Sequence, residues 1–291
     1  MNSKKKNPLM RWLGAVVVIG LAAGAKMMMG GDTNTAEEAL SLTAMNQPVN
    51  SQKVSSKKSK KSSNTHLMEI PQNDGASKGQ RLDRKGYALC YDSDKGTPQW
   101  VAWELTREET RGKLERTDWF EADEDVKGKR VEYNDYSGSG YDRGHMAPAG
   151  DMKWDMEAME ESFLMSNICP QNHELNKGSW NDLEIETRQW ARKYGKAYVV
   201  CGPIYDSDKK LKRIGRSHVA VPHHFYKAVL IYPNGNPLVL GFVFSNDGKH
   251  KTMKQSLVSV DQLEKRTGLD FFSKLPDDEE KALEAVTATL P

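Results

Sequence analysis

The sequence is short of cysteine, of long apolar runs and, over its folded part, of positive charge. Only Cys90, Cys169 and Cys201 occur in the 291 residues, so at most one disulfide can form and a multi-bridge scaffold is excluded. Each lies in an apolar stretch, "YALCY", "SNICP" or "YVVCG", and none has a second cysteine at CxxC spacing. They are expected to be small buried hydrophobes, not zinc ligands or a redox pair. The longest apolar run, "LGAVVVIGLAAGA", has 13 residues, whereas a membrane-spanning helix needs about 20. With Lys4, Lys5, Lys6 and Arg11 before it and Ala23-Gly24-Ala25 at its end, residues 1–25 read as an export signal. "KMMMGG" behind the run leaves an uncleaved membrane anchor open as the alternative. The expected location is accordingly periplasmic, secreted or on the outer face of the cytoplasmic membrane.

The charge is unevenly laid out. The chain has 42 basic and 40 acidic residues, but residues 66–291 hold 32 and 37 of them, a net of −5. Binding of nucleic acid by a broadly basic surface is therefore excluded, and any such function must come from a local site. The basic excess lies upstream. Residues 26–65 end in "SQKVSSKKSKKSSNT" and have almost no aromatic or branched apolar side chains to offset the cost of ordering, so they read as a disordered tether. The expected layout is a leader over 1–25, a linker over 26–65 and one domain over 66–291.

Within that domain, "KGYALCYD" and "PQWVAWELT" read as a hairpin joined by "SDKG",. "KRVEYND" is expected as a further strand or extended segment. "DMKWDMEAMEESFLMSN" has helical spacing behind a capping Asp151. "KGSWNDLEIETRQWARKYG" is the clearest helix, with Ser179 and Asp182 as a variant capping box and Gly195 as its stop,. "KAYVVCGPIYD", "HHFYKAVLIYP" and "PLVLGFVFSND" follow as strands, the last two joined by the "PNGN" turn,. "SVDQLEKRTGLDFF" is expected as a helix capped by Ser259, and "PDDEEKALE" as the start of a last helix. Strands, helices and strands again imply an α+β domain with an antiparallel central sheet.

Chemistry concentrates in residues 141–188. "YDRGH" and "SNICPQNHELNKGSWNDLEIETR" supply a possible base (His145), cations (Arg143, Arg188), amides (Asn167, Gln171, Asn176) and a carboxylate (Glu184). That inventory suits phosphodiester hydrolysis: a base for water, a divalent ion for the leaving oxygen and guanidinium forks for the phosphate. Glu184 and Arg188 stand four apart on one helical face, and Asn176, treated as helical, shares their side. Trp180, Leu183 and Trp190 are left to pack on the sheet.

"DRGHMAP", followed by "SNICPQNHELNKGSWNDLE" and Arg188, closely resembles the DNA/RNA non-specific endonuclease family of ββα-metal nucleases, the family of endonuclease G. "GPIYD", "VPHHFYKAVL" and "PQWVAWELT" extend the likeness to about residues 75–275. The resemblance implies a ββα-metal catalytic core with His145 as general base. It implies Asn176 as the main protein ligand of a hydrated Mg²⁺, with Mn²⁺ as the second candidate. Glu184 is then implied to hold metal-bound water and Arg188 to stabilise phosphate charge. Asp142 and Arg143 are implied to bind phosphate and orient neighbours, and Asn167 to fix His145 or its loop. Arg116 matches a phosphate-binding arginine loosely. DNA and RNA are the implied substrates; membrane attachment through the N-terminal segment is left open by the apolar run alone, not by the resemblance.

Blander roles stand beside these. Asn176 is a good helix cap, and Glu184–Arg188 could be a solvated ion pair. His218, His223 and His224 have no acidic or cysteine partner in sequence and read as structural or surface groups. Two other functions fit the sequence: a cell-surface phosphodiesterase for small substrates, favoured by the net negative charge, and a non-catalytic nucleic-acid-binding module.

Overall fold

Apolar residues recur in runs that are buried on both faces, and these runs build a seven-stranded antiparallel sheet. The computed structural model describes residues 67–73, 79–249 and 251–291. The leader expected over 1–25 and the linker over 26–65 lie outside the described residues. The principal strands are β1 (Gln80–Asp83), β2 (Ala88–Asp92), β3 (Thr97–Thr106), β4 (Asp142–His145), β5 (Ile168–Gln171), β6 (Lys196–Ile204), β7 (His224–Ile231), β8 (Leu238–Ser245) and β9 (Leu257–Val258). The large sheet runs β9-β8-β7-β6-β3-β2-β1, and β4 and β5 form a separate antiparallel pair. Helices α1 (Met156–Glu161), α2 (Asn181–Tyr194), α3 (Val260–Thr267) and α4 (Asp277–Glu284) complete the frame. The fold is the α+β arrangement that the order of segments implies.

Period-two alternation divides each central strand between two cores. On one face Val101, Trp103, Val199, Cys201, Phe225, Val229 and Phe242 pack against Trp180, Leu183 and Trp190 at and beside α2. On the other, Trp100, Ala102, Val200, Tyr226, Ala228 and Leu230 meet Val260, Leu263, Phe271 and Phe272 from α3 and the segment after it. Cys90, Cys169 and Cys201 are buried and form no disulfide among the described residues. Lys227 falls in register between Phe225 and Val229 on β7, yet it is only 1% exposed.

Several local expectations need correction. Of the two forms expected for "KRVEYND" the strand does not occur: residues 129–132 lie outside any regular element, with Glu132 extended at φ −111° and ψ 158°, and Tyr133–Tyr136 is a 3-10 turn. The helix expected over 151–167 breaks into three pieces. Asp151 ends a 3-10 turn, while Asp155 is the residue that caps α1, accepting from the Ala158 N–H at 3.1 Å. Downstream, Phe163 and Met165 leave the helical path for buried positions, and Met165–Asn167 forms another 3-10 turn. The box expected from Ser179 and Asp182 does not form, because the Ser179 hydroxyl donates to the Lys251 carbonyl instead. Gly195 does end α2 at φ 98°, and Ser259 caps α3.

Candidate active site

Backbone pairing first brings the two halves of the motif together. In the β4–β5 ladder Asp142 faces Gln171 and His145 faces Ile168. Gly144 leaves no room for a side chain, since a Cβ there would lie 2.3 Å from Gln171 Oε1. Ahead of α2 the chain makes a π-type turn over Asn176–Trp180, with Gly178 at non-helical φ −101° and ψ −117°. Asn176 thus does not lie on the regular helix assumed for the angular argument; such turns recur at functional positions. Trp180 Nε1 donates to the His145 carbonyl at 3.3 Å, tying the turn to β4.

The result is a cleft of about 480 Å³ whose wall includes Arg116, Arg143, His145, Asn176, Glu184 and Arg188. Six of the sequence-derived site residues therefore meet in one space, joined by Lys153 and Lys177. Asp142 and Asn167 are not on the wall. Asp142 Oδ2 accepts from Asn176 Nδ2 and pairs with His173 Nδ1, both at 2.9 Å. Its contacts orient the carboxamide. Because Asn176 donates to Asp142 through Nδ2, its Oδ1 is the acceptor end of the carboxamide, with the chemistry of a hard oxygen donor,. Asn167 is fully buried and braces the loop after His145. Its amide donates to the Ala147 and Ser162 carbonyls at 2.9 and 2.8 Å, and its Oδ1 accepts from the Ala147 N–H at 2.9 Å.

Burial controls the charges. His145 is 8% exposed, its Nε2 has no hydrogen-bond partner, and Phe163 and Phe120 flank its ring at 4.9 and 5.4 Å. Burial, with Arg116 next, lowers its pKa to about 3, so the imidazole is neutral at ordinary pH,. Burial raises Glu184 to about 7; Lys227 opposes this most strongly, Asp151 adds to it, and Arg188 and Arg116 also oppose it. Arg188 Nη1 donates to Asp151 Oδ1 at 2.7 Å, and Trp103 Nε1 donates to the other oxygen at 3.0 Å. Asp151 is 1% exposed, so the Arg188 guanidinium is anchored from below. Arg143 stacks 4.0 Å from the Tyr133 ring centroid and 5.2 Å from that of Phe120. Arg116 lies over Phe163 at 5.1 Å. Such stacking holds a guanidinium by its face. Each also donates one hydrogen bond, Arg143 Nη2 to the Tyr133 hydroxyl at 3.2 Å and Arg116 Nε to Asp118 Oδ1 at 2.9 Å.

Lys227 is the buried cation beneath this assembly. Its Nζ lies 4.2 Å from the Trp180 ring centroid and 5.8 Å from that of Trp103. Neither Lys227, Asp151, His173 nor the aromatic wall was legible as part of the site. Lys227 sits in what reads as an ordinary apolar strand, and Asp151 reads as a helix cap. His173 was legible only as one more residue of the "NHEL" segment. His223 and His224 are structural. The Asp206 N–H donates to His223 Nδ1 at 3.0 Å, and His224 Nε2 lies 2.9 Å from Asp206 Oδ2.

Among the described residues, no group of three His, Cys, Asp or Glu gathers at this cleft. One carboxamide oxygen with a carboxylate nearby suits a hard cation that keeps most of its water, and does not suit a thiolate- or imidazole-bound metal.

Comparison with known proteins gives a consistent result. The profile of the family described as DNA/RNA non-specific endonuclease matches residues 64–278. The chain is 41% identical over 207 residues to the mitochondrial nuclease EXOG of Xenopus laevis, covering 66% of this chain and 58% of that protein. It is 35% identical over 205 residues to human mitochondrial endonuclease G, covering 66% and 69%. It therefore spans less than two thirds of the EXOG relative. A structure solved as the EndoG/EndoGI complex superposes with a TM-score of 0.65 at 31% identity, over 68% of this chain and 88% of that one. These names overturn the expectation of export: both relatives are mitochondrial nucleases, which points to mitochondria and away from a secretory route.

Proposed function

The chain belongs to the DNA/RNA non-specific endonuclease family, and from that premise we propose that residues 66–291 form a Mg²⁺-dependent endonuclease acting on DNA and RNA. The family of ββα-metal nucleases implies a divalent ion, and the oxygen-only donor set fits one. Asn176 would hold it through Oδ1, with Glu184 steadying water around it. Such a cation, when bound, supplies charge stabilisation at the leaving oxygen.

The remaining work falls to the side chains. His145 takes the proton from the attacking water; its burial keeps the imidazole unprotonated and ready to accept,. A pKa near 3 marks a weak base in the empty cleft. The anionic phosphate, entering beside the ring, raises it toward a useful range. Arg116, Arg143 and Arg188 present forked donors to the non-bridging oxygens. Asp142 fixes the Asn176 carboxamide, and Asp151 fixes Arg188. Because these contacts address backbone phosphate and not base edges, cleavage is indifferent to sequence.

The observation that carries this reading is the convergence of His145, Asn176, Glu184 and three arginines, drawn from distant segments, on one cleft. The net negative charge of 66–291 favours a small phosphodiester as the alternative substrate, but the cleft wall itself has five cations to one carboxylate. The test is cleavage of plasmid DNA and of RNA by the full chain with Mg²⁺ and with EDTA. His145→Ala is expected to abolish cleavage with an unchanged circular dichroism spectrum. Undiminished activity in that variant, or turnover of an aryl phosphodiester without turnover of DNA, would refute the reading.

A further inference from the structure

On the sheet face opposite α2, three carboxylates are gathered without a counter-charge. Asp261 and Glu264 lie on α3 and Glu284 ends α4. Each offers one oxygen, and the three oxygens lie within 4.8 Å of one another. Like charges so close repel strongly unless something neutralises them. Among the described residues, no lysine, arginine or histidine forms an ion pair with any of the three. The third member is the telling one. Glu284 is 5% exposed, it points its carboxylate into the cluster, and its Oε1 has no hydrogen-bond partner. A buried carboxylate oxygen left unpaired costs several kcal/mol, about 1–3 or more, so native structures seldom keep one without a ligand or a proton. Glu264 Oε1 is already oriented by the Phe271 N–H at 2.8 Å. Asp261 is exposed and opens the cluster to water.

We propose that Asp261, Glu264 and Glu284 form a second cation site, of the calcium class, that fastens α4 to α3. The donors are all hard oxygens, which selects Ca²⁺, Mg²⁺ or Mn²⁺ over softer ions. The number of carboxylates favours calcium. Three carboxylates from the protein exceed what Mg²⁺, which keeps several waters and is usually held by one or two carboxylates, ordinarily takes, whereas Ca²⁺ accepts about six to eight oxygens in flexible geometry. Water completes the shell on the Asp261 side. Burial and then the neighbouring acids Glu264, Glu280, Asp270 and Asp261 push the Glu284 carboxyl up to about 9, and burial first pushes Glu264 to about 7. A divalent ion relieves that repulsion and ties the last helix to the domain. The site is separate from the cleft and does not depend on the nuclease reading.

The test is calcium titration calorimetry with thermal unfolding of the full chain after EDTA treatment and dialysis. Four proteins are compared: the parent, Asn176→Ala, Glu284→Gln and Asp261→Asn. Calcium is expected to bind and raise Tm in the parent and in Asn176→Ala alike, and to bind at least about tenfold more weakly in the other two. Asp261 is exposed, so its variant stays folded and decides the matter even if Glu284→Gln does not. Three results would overturn the proposal. One is no calcium effect in the parent, with Glu284→Gln alone raising Tm, which would mean that protons neutralise the cluster. Another is an effect lost in Asn176→Ala, which would put the ion in the cleft. The last is an effect that survives both carboxylate substitutions.

Discussion

Asp142 gives the sharpest test of how the site is held. Its position in the motif implies a phosphate-side role, but its side chain grips Asn176 Nδ2 and His173 Nδ1 at 2.9 Å. Asp142→Ala removes a charge-assisted hydrogen bond of about 1.5–3 kcal/mol. If that energy serves to aim the carboxamide oxygen, the half-saturating Mg²⁺ concentration rises about 10–150-fold at about 1.4 kcal/mol per decade. Asp142→Asn can still accept from Asn176, but as a neutral group worth about 0.5–1.5 kcal/mol, so it falls between. The assay is the initial rate of plasmid nicking against Mg²⁺, fitted for kcat and metal midpoint separately. The midpoint should move in the order Asp, Asn, Ala, at the far end by the about 10–100-fold typical of lost outer-shell supports, while kcat at saturating metal changes little. His173 is an exposed partner of the same oxygen, and His173→Gln should cost less than about fivefold. A fixed midpoint with falling kcat would refute the argument and return Asp142 to a direct role on phosphate.

Two further outcomes are expected. Glu184 is held up to about 7, so its carboxylate form is present above that value and is lost as pH falls through it. The acid limb of kcat should lie near neutrality, disappear in Glu184→Gln and move to higher pH in Lys227→Met, which removes the cation that most opposes the shift; a pH–rate profile of the three proteins checks this. Asn167→Ala deletes three buried hydrogen bonds and should lower stability by about 2–4 kcal/mol in urea unfolding, with a loss below about 0.5 kcal/mol counting against its bracing role.

Regular periodicity and short-range chemistry were readable in advance; long-range partnership was not. Segments 196–204, 224–231 and 238–245 are strands because branched and aromatic side chains fill both faces, and no competing local signal interferes. The 181–194 helix follows from its apolar stripe and Gly195. The segment 151–167 defeated the same logic because its apolar spacing satisfies a helix locally. In the fold Asp151 pairs with Arg188, 37 residues on, while Phe163 turns to face His145. "KRVEYND" alternates like a strand but finds no edge to join. The cleft's main side chains stood out because proton-handling, phosphate-binding and amide groups crowd one stretch. Lys227 was invisible because a lysine inside "HFYKAVLI" looks like an edge residue until both sheet faces are seen to be covered.

Lys227 also sets how the molecule should respond to salinity. Mobile ions attenuate exposed charges beyond about 8 Å at physiological strength, but they have no route to a cation enclosed by Trp180 and Trp103. The rim arginines and lysines that capture a polyanion will therefore weaken in brine, while the field felt by Glu184 will hardly change. Concentrated electrolyte should act on encounter and leave the chemical step nearly untouched.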